Sequence, residues 1–206
     1  MRKDIITSAI GMLVLTLVCG VLYPLLVTGI SQVAFHGDAN GQQLFLNGKL
    51  VGSKIIGQAF TDAKGDPLPQ YFQSRPSGTT PADNDAATSF ANYGPNSVIT
   101  EKAIAANIKV YIDLNGKFYP GGLTAGDVPV DAADTSASGV DPDISVLNAD
   151  IQAYRISAVR HLSLAVVHGL ISKYTSGRGL GFSGEPGVDV LELNLALNRL
   201  RTNNEH

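Results

Sequence analysis

The stretch IITSAIGMLVLTLVCGVLYPLLVTGI, residues 5–30, decides the architecture. Eighteen of its 26 residues are apolar, and no charged residue occurs from Ile5 to Phe35. Coiled as a helix it reaches about 39 Å at about 1.5 Å per residue, more than the ~30 Å of a hydrocarbon core. It reads as a transmembrane helix. A cleaved signal peptide would carry a shorter apolar region closed by a small-x-small site. Here the run continues through Leu25, Leu26 and Ile30, and no such triplet closes it. Cys19 does not suit lipoprotein processing either, because bulky Val18 precedes it. The anchor is therefore expected to be retained, as residues 1–35.

Flanking charge orients it. Arg2 and Lys3 precede the helix, whereas the first lysine after it is Lys49. Positive residues stay inside, which puts the N-terminus in the cytoplasm and residues 36–206 outside. Within the helix Thr16, Gly20, Pro24 and Thr28 recur every four residues. Small residues let a second helix backbone approach, and Pro24 should bend the helix; the ridge is read as a surface for packing a partner helix in the bilayer.

The rest of the chain reads as one mixed α+β domain. The lone cysteine lies in the anchor, so the outer domain holds no disulfide,. Without Arg2, Lys3 and Asp4 it carries 13 Lys+Arg against 17 Asp+Glu, a net of −4. That balance argues against nucleic acid. Asn47-Gly48 between apolar runs predicts a hairpin, with SKIIGQAF continuing the sheet. Residues 61–96, rich in Pro, Gly, Ser, Thr and Asn, read as loop. Ser97 caps a helix with Ile104, Ile108, Tyr111 and Ile112 inward, stopped at Asn115-Gly116. A strand is expected near Val128–Val130. Ser145 starts a second helix with Leu147, Ile151, Tyr154 and Ala158 on its face, and Ser163 a third with Leu164, Val167, Leu170, Ile171 and Tyr174 inward. GVDVLELNLALNRL begins as a strand at Val188 and Val190 and ends as a helix facing Leu193, Leu197 and Leu200 inward.

Signs of catalysis are few. GLGFSG, residues 179–184, matches G-x-G-x-x-G, but Glu185-Pro186-Gly187 follows where a phosphate-binding version needs a helix, so it reads as a turn,. Serine-hydrolase, zinc-protease, Walker A and phosphorylated D-K-T-G patterns do not occur,. His161 and His168 lack a nearby acid in sequence and read as ordinary helix-face residues, with no metal site expected. Residues 127–150 hold six aspartates and no basic residue; they read as a solvated loop with capping aspartates rather than a cation-gathering surface. YFQSRPSG, residues 71–78, packs Tyr71, Phe72, Arg75 and Pro76 together without a nucleophile–base pair. Arg75 offers a planar fork of donors to a carboxylate, and the stretch reads as a structural latch or docking element. Gln152 and Arg155, one turn apart on a helix, are placed to hydrogen-bond a neighbouring loop.

YFQSRPSG, ASGVDPDIS, IQAYRISAVR and GEPGVDVLELNLALNRL, in that order after a helix ending VLYPLLVTGI, resemble the C subunits of the Kdp potassium-transporting ATPase, the KdpC family. The resemblance runs over nearly the whole chain. Departures are local: Val146 follows D-P-x-I-S where a proline is common, Asp189 stands for a common asparagine, and residues 61–70 are slightly extended. The resemblance implies a non-catalytic subunit of a bacterial inner-membrane pump, in which a P-type ATPase subunit drives potassium uptake through a channel-like potassium-binding subunit, beside a small membrane subunit. It also implies a catalytic chaperone that raises the pump's affinity for ATP, a nucleotide shared with the ATPase subunit and not tightly held here. Gln152 is the position matching a glutamine linked to nucleotide binding. The alternative is a membrane-anchored extracytoplasmic enzyme or binding protein with an unfamiliar site.

Overall fold

The computed structural model describes residues 1–84, 86, 93–94 and 96–203. The chain divides into two compact units, Met1–Val51 and Gly52–His206. In the first, helix α1 (Arg2–Leu17) runs through a widened turn at Val18–Leu22 into α2 (Tyr23–Ala34). Together these 33 residues form, among the described residues, the one helix long and apolar enough to cross a membrane. The widened turn has a local cause. Pro24 has no N–H to donate to Gly20, and its ring crowds that carbonyl; Tyr23 N–H reaches back to Val18 O, five residues away, which loosens the coil at this point,.

A short helix α3 (His36–Ala39) follows. The hairpin then forms as expected: β1 (Gln43–Leu46) pairs with β2 (Lys49–Ser53). Asn47 (φ 52°) and Gly48 (φ 77°) are both left-handed, as a two-residue turn with the twist of its strands requires,. The sheet does not continue through SKIIGQAF. Gly57 N–H instead donates to Val140 O at 2.7 Å, in an approach so close that a Cβ there would lie 2.8 Å from Asp141 O.

The second unit is built on α4 (Val98–Asn115), α5 (Val130–Ala133), α6 (Val146–Arg160), α7 (Leu164–Lys173) and α8 (Val190–Asn203). A three-stranded antiparallel sheet joins them, in the order β3 (Asp143–Ser145), β5 (Gly187–Asp189), β4 (Thr175–Ser176). Ser97, Ser145 and Ser163 each cap their helix, accepting from the backbone N–H three residues on,. The main core gathers Phe72, Ile144, Ala149, Ala153, Ile156, Val167, Ile171, Val188, Val190, Leu193 and Leu197. A smaller cluster joins Tyr111, Ala132 and Ile151 to Tyr119, Leu123 and Val128.

Three local expectations need correcting. No strand forms at Val128–Val130: a reciprocal Thr124–Asp127 cap makes a tight turn at Ala125–Asp127, and Pro129 opens α5. Val190 already belongs to α8, because Asp189 Oδ1 accepts Glu192 N–H at 2.7 Å and caps the helix there. The third concerns α6. Ile151 is buried as expected and Tyr154 half-buried, but Leu147 and Ala158 are exposed, whereas Asn148, Ala149, Gln152, Ala153, Arg155 and Ile156 are buried. Three of the seven buried residues of α6, Asn148, Gln152 and Arg155, are polar.

Candidate functional site

Asn148, Gln152 and Arg155 recur at helical spacing and share one side of α6. The helix start is fixed by Asp131, which accepts from Ser145 N–H and Oγ at 2.8 Å each and from Asn148 Nδ2 at 2.9 Å. Facing these side chains is the coil Pro69–Gln73, the first part of YFQSRPSG and the residues before it. This coil has no strand partner, so its backbone groups need other partners. Side chains supply them. Gln152 clamps Gln73, accepting its N–H at 2.8 Å and donating to its carbonyl at 3.0 Å. Asn194 of α8 does the same for Phe72, at 2.9 Å in both directions. Arg155 Nη1 donates to the carbonyls of Pro69 and Tyr71, and Arg160 Nε to that of Gln70 at 2.6 Å. Two amides and two guanidiniums thus replace a missing strand over five consecutive residues.

Packing completes the latch. Phe72 is fully buried in the main core. Tyr71 lies 5.1 Å from the Phe60 ring, with the Arg160 guanidinium 4.9 Å over its own ring, a cation–π contact.

Arg155 is the unusual member. It is fully buried, and its four acceptors are Pro69 O, Tyr71 O, Asn115 Oδ1 at 2.9 Å and Gln152 Oε1 at 2.7 Å. None carries a charge. Burial pushes the guanidinium down to about 10, with the nearby Tyr111 acting in the opposite sense; it remains a cation at neutral pH. Tyr111 donates to Asn148 Oδ1 at 2.9 Å, and burial with Asp131 nearby raises its phenol far above the usual range. Such a buried cation persists only where its donors are satisfied, and the coil's carbonyls satisfy them.

Gln152 is 1% exposed. Its Oε1 accepts from Gln73 N–H and Arg155 Nη2, and its Nε2 donates to Gln73 O and Asn148 Oδ1. All four hydrogen-bonding positions of the amide are taken. Beside it lies a cavity of about 170 Å³ lined by Pro67, Pro76, Val110, Tyr111 and Leu114 among others, smaller than the roughly 300–1,000 Å³ of small-molecule sites.

Beyond the latch, Arg75 reaches Asp141 Oδ2 at 3.3 Å and Thr135 O at 3.1 Å, while its Nε is buried without a partner. Gly78 N–H and Ser77 Oγ both donate to Gly139 O, at 3.0 Å each. The structure therefore gathers Tyr71, Phe72, Arg75, Pro76, Gln152 and Arg155 into one neighbourhood. Thr16, Gly20, Pro24 and Thr28 belong to the helix of the other unit, where a Cβ at Gly20 would meet only Thr16 Cγ2, at 3.9 Å.

Asn115, Asn194, Arg160 and Gln73 were missed. Asn194 does carry a signal, as a polar residue inside the apolar run LELNLAL. His168 does have an acidic companion: Asp150, eighteen residues away on α6, lies 3.0 Å from its Nδ1. Most of the aspartates in 127–150 have local structural roles, in the Thr124 cap, the α6 start, the Arg75 bridge and the His168 pair. Among the described residues no three His, Cys, Asp or Glu side chains are grouped to hold a metal ion.

Comparison with known proteins decides the family. The family model described as K+-transporting ATPase, c chain, matches residues 5–199. The chain belongs to the KdpC family. The potassium-transporting ATPase KdpC subunit of Methylococcus capsulatus is 46% identical over 191 residues, 92% of this chain and 94% of that protein. That of Mycobacterium bovis is 42% identical over 200 residues, covering 97% and 100%, and that of Koribacter versatilis 39% over 198 residues, covering 96% and 95%. KdpC membership puts the chain with the potassium-transporting ATPase, and its one long apolar helix is consistent with a single-pass inner-membrane protein.

Proposed function

We propose that this chain is the non-catalytic accessory subunit of a Kdp-type potassium uptake complex, stabilising the assembly and raising the ATP affinity of the P-type ATPase subunit. Its partners are that subunit, the channel-like potassium-binding subunit and the small membrane subunit. The domain faces outward, on the charge asymmetry of Arg2 and Lys3 against a flank with no lysine before Lys49,. The latch acts by presenting the Tyr71–Gly78 surface in one shape, and any effect on ATP travels through the membrane subunits as a coupling free energy of about 1–3 kcal/mol.

The observation that carries this reading is the engagement of Gln152. An amide with all four positions spent inside the domain has nothing left for a nucleotide. A mild-detergent purification should recover a P-type ATPase and a channel-like potassium subunit with the chain. The purified chain should show no saturable ATP binding, as wild type or as Gln152→Ala, while Gln152→Ala weakens ATP use by the whole complex. ATP binding by the isolated chain that disappears in Gln152→Ala would refute the indirect role. Turnover by the isolated chain would favour an anchored enzyme instead.

A further inference from the structure

The end of β2 and the coil after it, Gly52–Gly57, are seated on the starts of β3 and α8. Gly57 N–H bonds Val140 O, and Gly52 approaches Leu191 so closely that a Cβ would lie 2.5 Å from its Cδ2. Lys54 Nζ lies 2.8 Å from Glu192 Oε1. Beneath this coil, Asp143 of β3 stands directly opposite Asp189 of β5 in the antiparallel register. Asp143 folds over Gly187, two residues from Asp189 on the same face of β5, where a Cβ would lie 2.9 Å from its Oδ2,. Like charges opposed across strands are destabilising.

The surrounding charges do not cancel this opposition. Arg75 is engaged by Asp141 at 3.3 Å, and Lys54 by Glu192. From the remaining neighbour, Tyr174, it is the carbonyl that receives Asp189 N–H, at 3.2 Å. Two carboxylates, Asp189 and Glu192, therefore share the ammonium of Lys54, while Asp143 faces the further negative charge of Asp141. Among the described residues no cation makes an ion pair with Asp143 or Asp189.

We propose that Asp143 and Asp189 form a proton-operated clasp: one proton taken up by the pair draws β3 and β5 together under the Gly52–Gly57 coil, and its loss loosens them. Burial pushes both carboxyls up, Asp143 with help from the Asp141 charge, and Asp189 to about 6, helped by Glu192 and Asp143 and opposed by its own bond from Glu192 N–H and by Lys54. The sign follows. A carboxyl whose pKa rises on folding holds its proton more tightly in the folded state, so its protonation stabilises the fold as pH falls through about 6,. The gain is complete below the unfolded value of 3.8 and absent well above 6. On the outward orientation proposed for the domain, the clasp reads the pH of the medium.

Amide hydrogen exchange, corrected for the intrinsic pH dependence, is read on the full chain in lipid nanodiscs between about pH 5 and about pH 8. Peptides covering 52–58, 141–146 and 186–192 should lose protection about tenfold as pH rises, with a midpoint near the Asp189 value, while α7 peptides stay level. Asp189→Asn should hold the high protection throughout, since the amide is neutral, nearly isosteric and still able to cap a helix, whereas Asp143→Asn should move the midpoint to lower pH without removing it, because burial still holds Asp189 up. Protection that is flat with pH in the wild type, a pH profile that survives Asp189→Asn, or a midpoint that Asp143→Asn leaves in place would overturn the clasp.

Discussion

Arg155→Lys keeps the charge and removes the fork. The guanidinium spreads its donors over Pro69 O, Tyr71 O, Asn115 Oδ1 and Gln152 Oε1, from three nitrogens pointing in different directions. A lysine ammonium brings three donors on one atom at the end of an unbranched stem, and it cannot span the Asn115 side and the coil side together. At least two buried acceptors are left without a donor, at about 1–3 kcal/mol each. The charge, moreover, is now solvated less well in a site that is fully buried. The expected loss is about 2–5 kcal/mol, a large part of the roughly 5–15 kcal/mol typical of a domain. Thermal unfolding of the full chain in detergent, followed by circular dichroism, should show a Tm lower by roughly 5–15 °C. Exchange at Phe72 and Gln73 should rise with it, because the guanidinium holds the Tyr71 carbonyl of the peptide unit that carries the Phe72 N–H and braces the Gln152 side chain that holds Gln73. Arg155→Met, which removes the charge but not the unmet acceptors, should not restore the wild-type value. A lysine variant within about 0.5 kcal/mol of wild type, with both amides still protected, would refute the account of the latch.

Asn194→Ala removes both bonds to Phe72 and should cost about 2–4 kcal/mol, with exchange rising at residue 72 more than at residue 73,; equal unfolding midpoints would count against it. Arg75→Lys should leave the domain folded but reduce recovery of partner subunits, because the bridge to Asp141 and Thr135 needs two nitrogens,; unchanged recovery and potassium-limited growth would remove the docking role of Arg75 and Pro76. Gly20→Leu should insert in the membrane normally yet fail to hold its partners, since leucine separates two backbones at an otherwise open position,; wild-type co-purification would mean that the Thr16–Gly20–Pro24–Thr28 ridge is not an interface.

Local and periodic features were legible in the sequence. Twenty-six residues without a charge need no tertiary context to form an apolar helix,. The Asn47-Gly48 turn and the serine caps of α4, α6 and α7 are likewise settled by the residues that carry them, as is the inward face of α7. The same is true of family membership, since motifs keep their order along a chain whatever they touch. Only the tertiary structure decided which side of α6 is buried. Apolar periodicity pointed to Leu147, Ile151, Tyr154 and Ala158, but a polar face can be buried when another segment supplies every hydrogen bond it needs. That segment lies about eighty residues earlier in the chain, as the separations between Gln73 and Gln152 and between Tyr71 and Arg155 show. Asp150 with His168, and Asp143 with Asp189, meet in the same way. A side chain's own position fixes its local geometry, but whether it is a solvated charge or a buried donor depends on partners that only the folded chain brings within 3 Å.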